Sequence, residues 1–410
     1  MRILVFGGSG RIGSAVAWDL ARDTEVRRVG LVSRDREALE RTKRWIGATN
    51  VACHGLDVAD ANAVRAVMEG YDAGALALPD RRTSYRIVQT SIDAGLPIVD
   101  MLEEYHRAPD AYETEGLEIP PGMTLARYGE WLHERAVENN VPFIDGMGFA
   151  PGLSNITVGD GIRKLDRAVS AVARVGGVPE KSAALKRPLR YMITWAFDHV
   201  LREYMIRLPV RKNGRVVEVE AGSDRERFRF DRFGKNEELE CAITPGMPSF
   251  ITSRPDLEDF AEKTIRWPGH WEGVQTLKEC GLLDLEPVSV HGQRVVPRDL
   301  LHAVLVPRLQ PEAGEGDACV MFNTVRGFKG GKPTRVEHFL WDDARDGISA
   351  MARVTGFPVA IAARLLARGT IRQGGILPPE DCITGELYRD FLRELARREI
   401  RILEVVSEDG

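Results

Sequence analysis

The chain opens Met1-Arg2-Ile3-Leu4-Val5-Phe6-Gly7-Gly8-Ser9-Gly10-Arg11-Ile12-Gly13, and this stretch decides the fold. Residues 3–6 are an apolar run of strand length, and residues 12–22 repeat their apolar positions at helical spacing. The GxGxxG at Gly8, Gly10 and Gly13 therefore sits where a strand hands over to a helix. At such a turn, glycines let the backbone approach a pyrophosphate, and the helix start offers unpaired amides at the positive end of its dipole. Gly8, Ser9, Gly10, Arg11, Ile12 and Gly13 are the expected diphosphate contacts of a dinucleotide. A tight structural turn in an unrelated α/β fold is the competing reading.

Residues 29–32 form a second apolar run that ends at Ser33-Arg34. The group that reads the adenosine ribose belongs about 20 residues after the glycine loop, which is Ser33. An acidic residue there would bond a free 2′-hydroxyl and repel a 2′-phosphate, whereas Ser33 with Arg34 accommodates the phosphate. NADP is thus expected over NAD, with NAD remaining open should Asp35 take the ribose instead. Asp57 and Val58, after the third strand, are placed beside the adenine; the alternative for Asp57 is an ordinary helix cap.

Working outward, strands are expected at 51–53, 73–78, 98–101 and 141–144, with helices at 36–45, 61–68 and 84–94 between them. Such alternation predicts a parallel sheet covered on both faces. Residues 103–123 break the rhythm with polar, aromatic and proline residues, and read as a long lid-like loop carrying Tyr105 and His106. Beyond Pro151 the pattern changes. Helical stretches at 155–164 and 189–204 precede alternating segments at 215–220, 227–231, 288–290 and 318–325. The fold class is accordingly α/β: a dinucleotide-binding domain at 1–150, completed by about 348–395, and an α+β substrate and dimerisation domain at 151–347. Residues 348–368 read as one long buried helix interrupted at Gly356-Phe357-Pro358, returning to the first domain.

At 410 residues the chain is long enough for two or three compact units. A net charge of −5 with 29% charged residues argues against a nucleic-acid surface, which needs concentrated Lys and Arg. No uninterrupted apolar run approaches the roughly 18 to 20 residues of a membrane span, so no membrane partner is expected. The first residues read as a buried strand rather than a signal peptide. The cysteines Cys53, Cys241, Cys280, Cys319 and Cys382 are scattered, without CxxC or zinc spacing. They point to a reducing cytoplasm and to no metal site. No tyrosine is followed by a lysine four residues on, and GxxxxGK[ST], HExxH and GxSxG are absent. Short-chain dehydrogenase, P-loop, metalloprotease and serine-hydrolase readings fall away.

Six segments together resemble the saccharopine dehydrogenase family, in particular its lysine 6-dehydrogenase-like branch. They are GGSGRIG at 7–13, GMGFAPGLSN at 146–155, VGGVP at 175–179, FDRFG at 230–234, KTIRWPGHWE at 263–272, and SAMARVTG with LLARGTIRQGGILPPE within 349–380. The resemblance implies an NAD(P)-binding Rossmann domain and redox chemistry at a carbon bearing an amine, with an amino acid or imine as substrate. The branch reading is oxidation of a lysine-like amine. The alternatives are saccharopine-type condensation of an amine with a 2-oxo acid, and a non-catalytic NADP-binding sensor. Carried over, it places Leu78, Pro79 and Asp100 against the cofactor, and Pro151, Gly152, Asn155, Gly176 and Gly177 around the nicotinamide and substrate. It also implies a homodimer.

Amine oxidation needs a proton acceptor near the nitrogen and a cation for any carboxylate. Lys263, Arg266 and His270 offer both in one block: cations for the carboxylate and a His that trades protons near neutral pH. Their alternatives are an ion pair of Arg266 with Glu262 or Glu272, and a His bonded within its loop. Asp100, at a strand end, is the second acid/base candidate, with backbone capping as its alternative. Trp195, near Tyr191 and Phe197 on a predicted helix, is expected to wall the substrate pocket or to pack in the core.

Overall fold

The computed structural model describes residues 1–78, 81–102 and 119–408, without the side chains of 81–84 and 125. Two compact units are present: Met1–Asp160 with Met247–Ser253 and Ala352–Ile400, and Gly161–Gly246 with Arg254–Met351 and Arg401–Gly410. Pro79 and the expected lid residues Tyr105 and His106 lie outside the described residues.

The first unit is built on β1 (Arg2–Phe6), β2 (Arg28–Ser33), β3 (Val51–Gly55), β4 (Ala73–Leu76), β5 (Ile98–Asp100) and β6 (Pro142–Ile144). With β17 (Gly375–Leu377) they form one parallel sheet in the order β17-β6-β5-β4-β1-β2-β3. The order reverses between β1 and β4, so the switch point, where such sheets bind ligands, lies at the carboxyl end of β1. Near-continuous burial of Ile3 to Phe6 and of Ala73 to Leu76 follows from a sheet covered on both faces. Tyr71, Tyr85, Tyr128, Leu132 and Phe143 fill one side. Tyr128 and Leu132 come from Leu125–Glu138, a helix the sequence reading left out; Thr124 caps it by accepting the Arg127 amide.

The returning helix Ala350–Ala367 runs through Gly356-Phe357-Pro358 without the expected interruption. Pro358 removes only the one amide that would bond four residues back. Gly356 allows close packing, since a Cβ there would lie 3.2 Å from the Val16 amide nitrogen of the helix Arg11–Ala21 (α1). Phe357 then stacks on Trp18 with ring centroids 6.0 Å apart. This helix is long and apolar enough to cross a membrane, yet 83% of it is buried in the fold. It is core.

Three segments of the first unit meet at Glu380, which is fully buried. Asn155 Nδ2 donates to Glu380 Oε2 at 3.1 Å, and the Ser249 and Ser253 hydroxyls donate to Oε1 at 2.9 and 3.2 Å. The short helix Ser249–Ser253 is thereby recovered from the middle of the chain into the first unit.

The second unit is a nine-stranded mixed sheet. Its strands are β7 (Arg167–Pro179), β8 (Arg207–Lys212), β9 (Arg215–Glu220), β10 (Glu226–Phe230), β11 (Glu237–Ile243), β12 (Asp259–Arg266), β15 (Asp317–Lys329), β16 (Lys332–Asp343) and β18 (Leu403–Glu408). The order is β10-β11-β12-β7-β15-β16-β18, with β8 pairing β12 and β9. A separate hairpin joins β13 (Val288–Val290) to β14 (Gln293–Val295). The predicted helix at 189–204 is a one-turn helix, Pro188–Arg190, and a second, Phe197–Glu203, separated by an extended stretch. Trp195 sits in that stretch, not on a helix.

Replacing Glu380 by Ala leaves buried donors on Asn155 and two serines without their acceptor. The expected loss is about 3 kcal/mol in urea unfolding, whereas Glu386→Ala, at an exposed helix start, leaves the midpoint unchanged.

Candidate active site

The glycine loop is shaped by crowding. Gly7 has φ +73° and a Cβ on it would sit 2.3 Å from the Ala77 carbonyl oxygen and 3.1 Å from Leu78 Cδ2. A Cβ on Gly13 would sit 2.2 Å from the Gly7 oxygen. The amides of Gly7 and Gly8 both donate to the Val32 carbonyl, at 3.0 and 3.3 Å, and Gly10 donates back to Gly7 at 2.9 Å. Gly10 caps α1 with no side chain and no acidic residue follows in the first turn. The start of α1 thus presents amides and no negative charge, with Ser9 half-buried and Gly10 and Arg11 exposed. These residues fit a diphosphate.

At the end of β2, Ser33 is half-buried and Arg34 exposed. The Asp35 carboxylate accepts the Ala38 amide as the cap of the helix Arg36–Ile46, so it is engaged in helix capping. Arg36, which the sequence reading passed over, lies across Gly55 at the end of β3, where a Cβ would meet its Cγ at 2.4 Å. Ser33, Arg34 and Arg36 together offer a hydroxyl and two guanidinium groups to a phosphate. Asp57 makes a local turn by accepting the Ala59 amide at 3.0 Å, while Asp60, not Asp57, caps the next helix. Val58 and Leu78 are partly buried against the core. Asp100 is buried at the end of β5, where Oδ1 accepts the Leu102 amide at 3.0 Å. This is the capping role.

In the second unit the expected block divides. Side chains alternate along a strand, so Glu262, Thr264 and Arg266 share one face of β12 and Lys263 takes the other. Lys263 cannot join Arg266 on a carboxylate. Its ammonium lies 2.9 Å from Asp224 Oδ2 and 3.6 Å from Glu226 Oε1, and it donates to the Asp224 carbonyl at 2.8 Å.

Arg266 is buried. Its Nη1 donates to the carbonyls of Ile265 and Gly177 at 3.0 and 3.3 Å, and Nη2 to the Tyr204 hydroxyl at 3.2 Å. Its guanidinium also lies 5.2 Å from the Tyr191 ring centre. Among the described residues no carboxylate is within ion-pair distance of it, and Nε has no partner. The expected pairs with Glu262 or Glu272 do not form. Gly176 has no side chain because a Cβ there would meet the Ile265 carbonyl oxygen at 2.2 Å. Gly176 thus lets β7 and β12 close, and Gly177 gives Arg266 a carbonyl.

His270 does not trade protons near neutral pH. Full burial, with the Arg266 charge second, pushes its imidazole down to about 3. Neutral, it donates from Nδ1 to the Leu189 carbonyl at 2.8 Å, so Nε2 accepts from the Tyr204 hydroxyl at 2.9 Å. The chain of donors runs Arg266 to Tyr204 to His270 to Leu189. His270 is a positioning residue. On the same strand face as Arg266, burial and the field of Glu203 push the Glu262 carboxyl well above the usual range, although Thr244 donates to it at 2.7 Å. Glu203 itself pairs with His199 at 3.2 Å, and Trp195 packs 5.1 Å from the His199 ring. Tyr204 and Glu203 have no local signal in the sequence, and Glu262 entered there only as an ion-pair partner for Arg266; the alternation of β12 was the available signal for its place on the Arg266 face. Asn155, expected at the substrate, is instead held by Glu380 and by the Gly152 amide, which donates to its Oδ1 at 2.9 Å.

Two family models cover the chain: the saccharopine dehydrogenase NADP binding domain over residues 3–167 and the saccharopine dehydrogenase C-terminal domain over 148–400. The chain belongs to the saccharopine dehydrogenase family. A 135-residue stretch, 32% of the chain, is 29% identical to the NADP(+), L-glutamate-forming saccharopine dehydrogenase of Schizosaccharomyces pombe. Over 64% of the chain, identity to mitochondrial alpha-aminoadipic semialdehyde synthase of Bos taurus is 23%. These matches span 29% and 35% of those two relatives. The apo saccharopine dehydrogenase (L-Glu forming) of Saccharomyces cerevisiae superposes with a TM-score of 0.77 at 19% identity, covering 99% of both chains, and shares the fold. NADP is the family cofactor, and the glycine loop fits it.

The neutral His270 has a linkage consequence. Its folded value, about 3, lies below the unfolded value of about 6.5. The unfolded chain binds the extra proton between those values, so this stability is complete above pH 6.5 and is lost as pH falls towards 3, by up to about 1.4 kcal/mol per unit. Urea unfolding of wild type and His270→Gln from pH 6 to pH 4 should show a shallower dependence in the variant. Equal slopes would remove the buried neutral imidazole from the account.

Proposed function

We propose that this chain is an NADP(H)-dependent oxidoreductase that makes or cleaves a C–N bond of an amino acid. Bound at the α1 start, the nicotinamide supplies or accepts the hydride. The residues of the chain hold and orient. Amides of the loop Gly8 to Gly13 take the diphosphate, and Ser33, Arg34 and Arg36 take the 2′-phosphate. Leu78, Asp57 and Val58 border the nucleotide. In the second unit Arg266 takes a substrate carboxylate, with Tyr204 and His270 holding its guanidinium in place.

The observation that carries the substrate class is Arg266 itself, a buried guanidinium with no carboxylate of the described residues within ion-pair distance. Burying an unpaired charge is costly, and a carboxylate ligand would offset that cost. The names of the two curated relatives support a saccharopine-type reaction, in which the amine of one amino acid is joined to a carbonyl carbon of another molecule. The second reading is oxidation of the terminal amine of a single lysine-like amino acid. It is favoured by there being one buried guanidinium on that face of β12, since Lys263 points the other way.

Following NADPH and NADH at 340 nm with saccharopine, lysine and amine plus 2-oxo acid pairs decides between them. Turnover of saccharopine but not lysine supports the first; tight nucleotide binding without turnover of any pair would leave only a sensor. Arg266→Lys should raise KM for the acid substrate by about one to two orders of magnitude, the worth of a charge-assisted pair, with smaller change in kcat. Arg34→Asp should lower the NADPH to NADH preference about tenfold or more, read as the ratio of kcat/KM; an unchanged ratio excludes Arg34 from the 2′-phosphate.

A further inference from the structure

Arg266 has a counterpart on its own strand. Glu262 is only 5% exposed, and its side chain takes the same face of β12. Among the described residues its carboxyl accepts from the Thr244 hydroxyl, at Oε2 and 2.7 Å, and no lysine, arginine or histidine lies within ion-pair distance of it. The backbone of Gly246 lies flat against this carboxyl, since a Cβ there would stand 2.6 Å from Glu262 Cδ. A buried guanidinium without an anion and a buried acid without a cation thus share one face.

The two heads are held apart. Along a strand, residues 262 and 266 have Cα atoms about 13 Å from each other. Thr244 stands directly opposite Glu262 on β11 and fixes the carboxyl there, itself bonded to the Thr264 hydroxyl at 2.6 Å. The guanidinium is tied at its own level to the carbonyls of Ile265 and Gly177 and to Tyr204. Between them lies Thr264, flanked by Ala242 on β11 and Val175 on β7, an uncharged surface that suits methylene groups. The carboxyl level with Arg266 on β11 is Glu240, and it is engaged elsewhere: Oε1 accepts the Trp271 amide at 2.9 Å and Oε2 lies 3.7 Å from Arg227.

Each head carries a desolvation cost, and a ligand of one sign offsets it at one end only. A ligand with both signs offsets both. We infer that Glu262 holds a substrate ammonium while Arg266 holds the carboxylate of the same molecule, so that this face selects an amino acid whose amine stands several methylenes from that carboxylate. The inference rests on the reading of Arg266 as the carboxylate holder. An ammonium on the carbon next to the carboxylate would stay level with Glu240 and never reach Glu262. Besides burial, which holds the Glu262 carboxyl well above the usual range, two charges act on it: Glu203, paired with His199, opposes its ionisation and Arg266 favours it. The incoming ammonium pairs with the ionised carboxyl, so its grip strengthens as pH rises.

Calorimetric titration of the full chain with NADPH present tests it, using hexanoate, 6-aminohexanoate and L-2-aminohexanoate as probes. At pH 8, 6-aminohexanoate should bind about tenfold or more tighter than hexanoate, the worth of a charge-assisted contact, and L-2-aminohexanoate should show no such gain. Glu262→Gln should remove the gain and leave hexanoate binding unchanged, whereas Glu240→Gln should keep it. In wild type the gain should grow from pH 5 to pH 8, where the ammonium keeps its proton; any growth that persists in Glu262→Gln belongs to His199 and Glu203. Hexanoate that fails to bind overturns the reading of Arg266 and this inference with it. Hexanoate that binds without a gain from the terminal ammonium, or a gain that survives Glu262→Gln, overturns the role of Glu262 alone. Should Glu262→Gln fail to fold, the wild-type comparison still decides: an equal gain from L-2-aminohexanoate, or a gain flat with pH, overturns the inference.

Discussion

Backbone crowding at the carboxyl end of β1 is the constraint on which the first unit depends. Gly13 is pressed against the Gly7 carbonyl and Gly7 against the Ala77 carbonyl, so neither position has room for a methyl group. That closeness turns the chain from strand to helix in a few residues, so that α1 starts at the switch point between β1 and β4 with its amides uncapped. A larger residue at either glycine would push the helix start away from the sheet edge. The diphosphate site and the packing of α1 on the returning helix are two consequences of the same turn, since Gly356 meets the other side of α1.

The second unit depends on burial more than on proximity. His270, Arg266 and Glu262 are common surface residues whose behaviour is changed by being placed inside. Withdrawal from water keeps the imidazole neutral and drives the Glu262 carboxyl upward, while the guanidinium, which cannot give up its proton, keeps its charge. The face therefore contains one permanent positive charge, held by hydroxyl and carbonyl oxygens, beside an imidazole that burial keeps neutral and a carboxyl that burial pushes upward. Such a setting suits recognition of an anion, because no carboxylate of the described residues lies within ion-pair distance of the guanidinium.

Sequence patterns with short range were legible. The GxGxxG turn, the strand–helix alternation to residue 144 and the Ser33-Arg34 pair all occupy the positions expected of them. What escaped were features produced by distant segments. Arg36 joins the end of β2 only because β3 ends in a glycine beneath it. Asn155, read as a substrate contact, faces Glu380 from 225 positions away. Strands β11, β12 and β16 carry too many charged residues to stand out as apolar runs, and their pairing in the mixed sheet is what makes them strands. Lys263 and Arg266 looked like one site from spacing alone; the two-residue period of a strand separates them.

By itself the sequence determined the fold class, the nucleotide loop and the preference for a phosphorylated ribose, because each rests on residues a few positions apart along one strand or turn. Only the tertiary structure decided which ionisable groups are charged. Desolvation is set by everything packed around a side chain, and no local pattern records it. The same holds for the helix Pro297–Leu309, where folding alone decides that Leu301, Leu305 and Leu309 are buried and Leu300 and Val304 are left exposed.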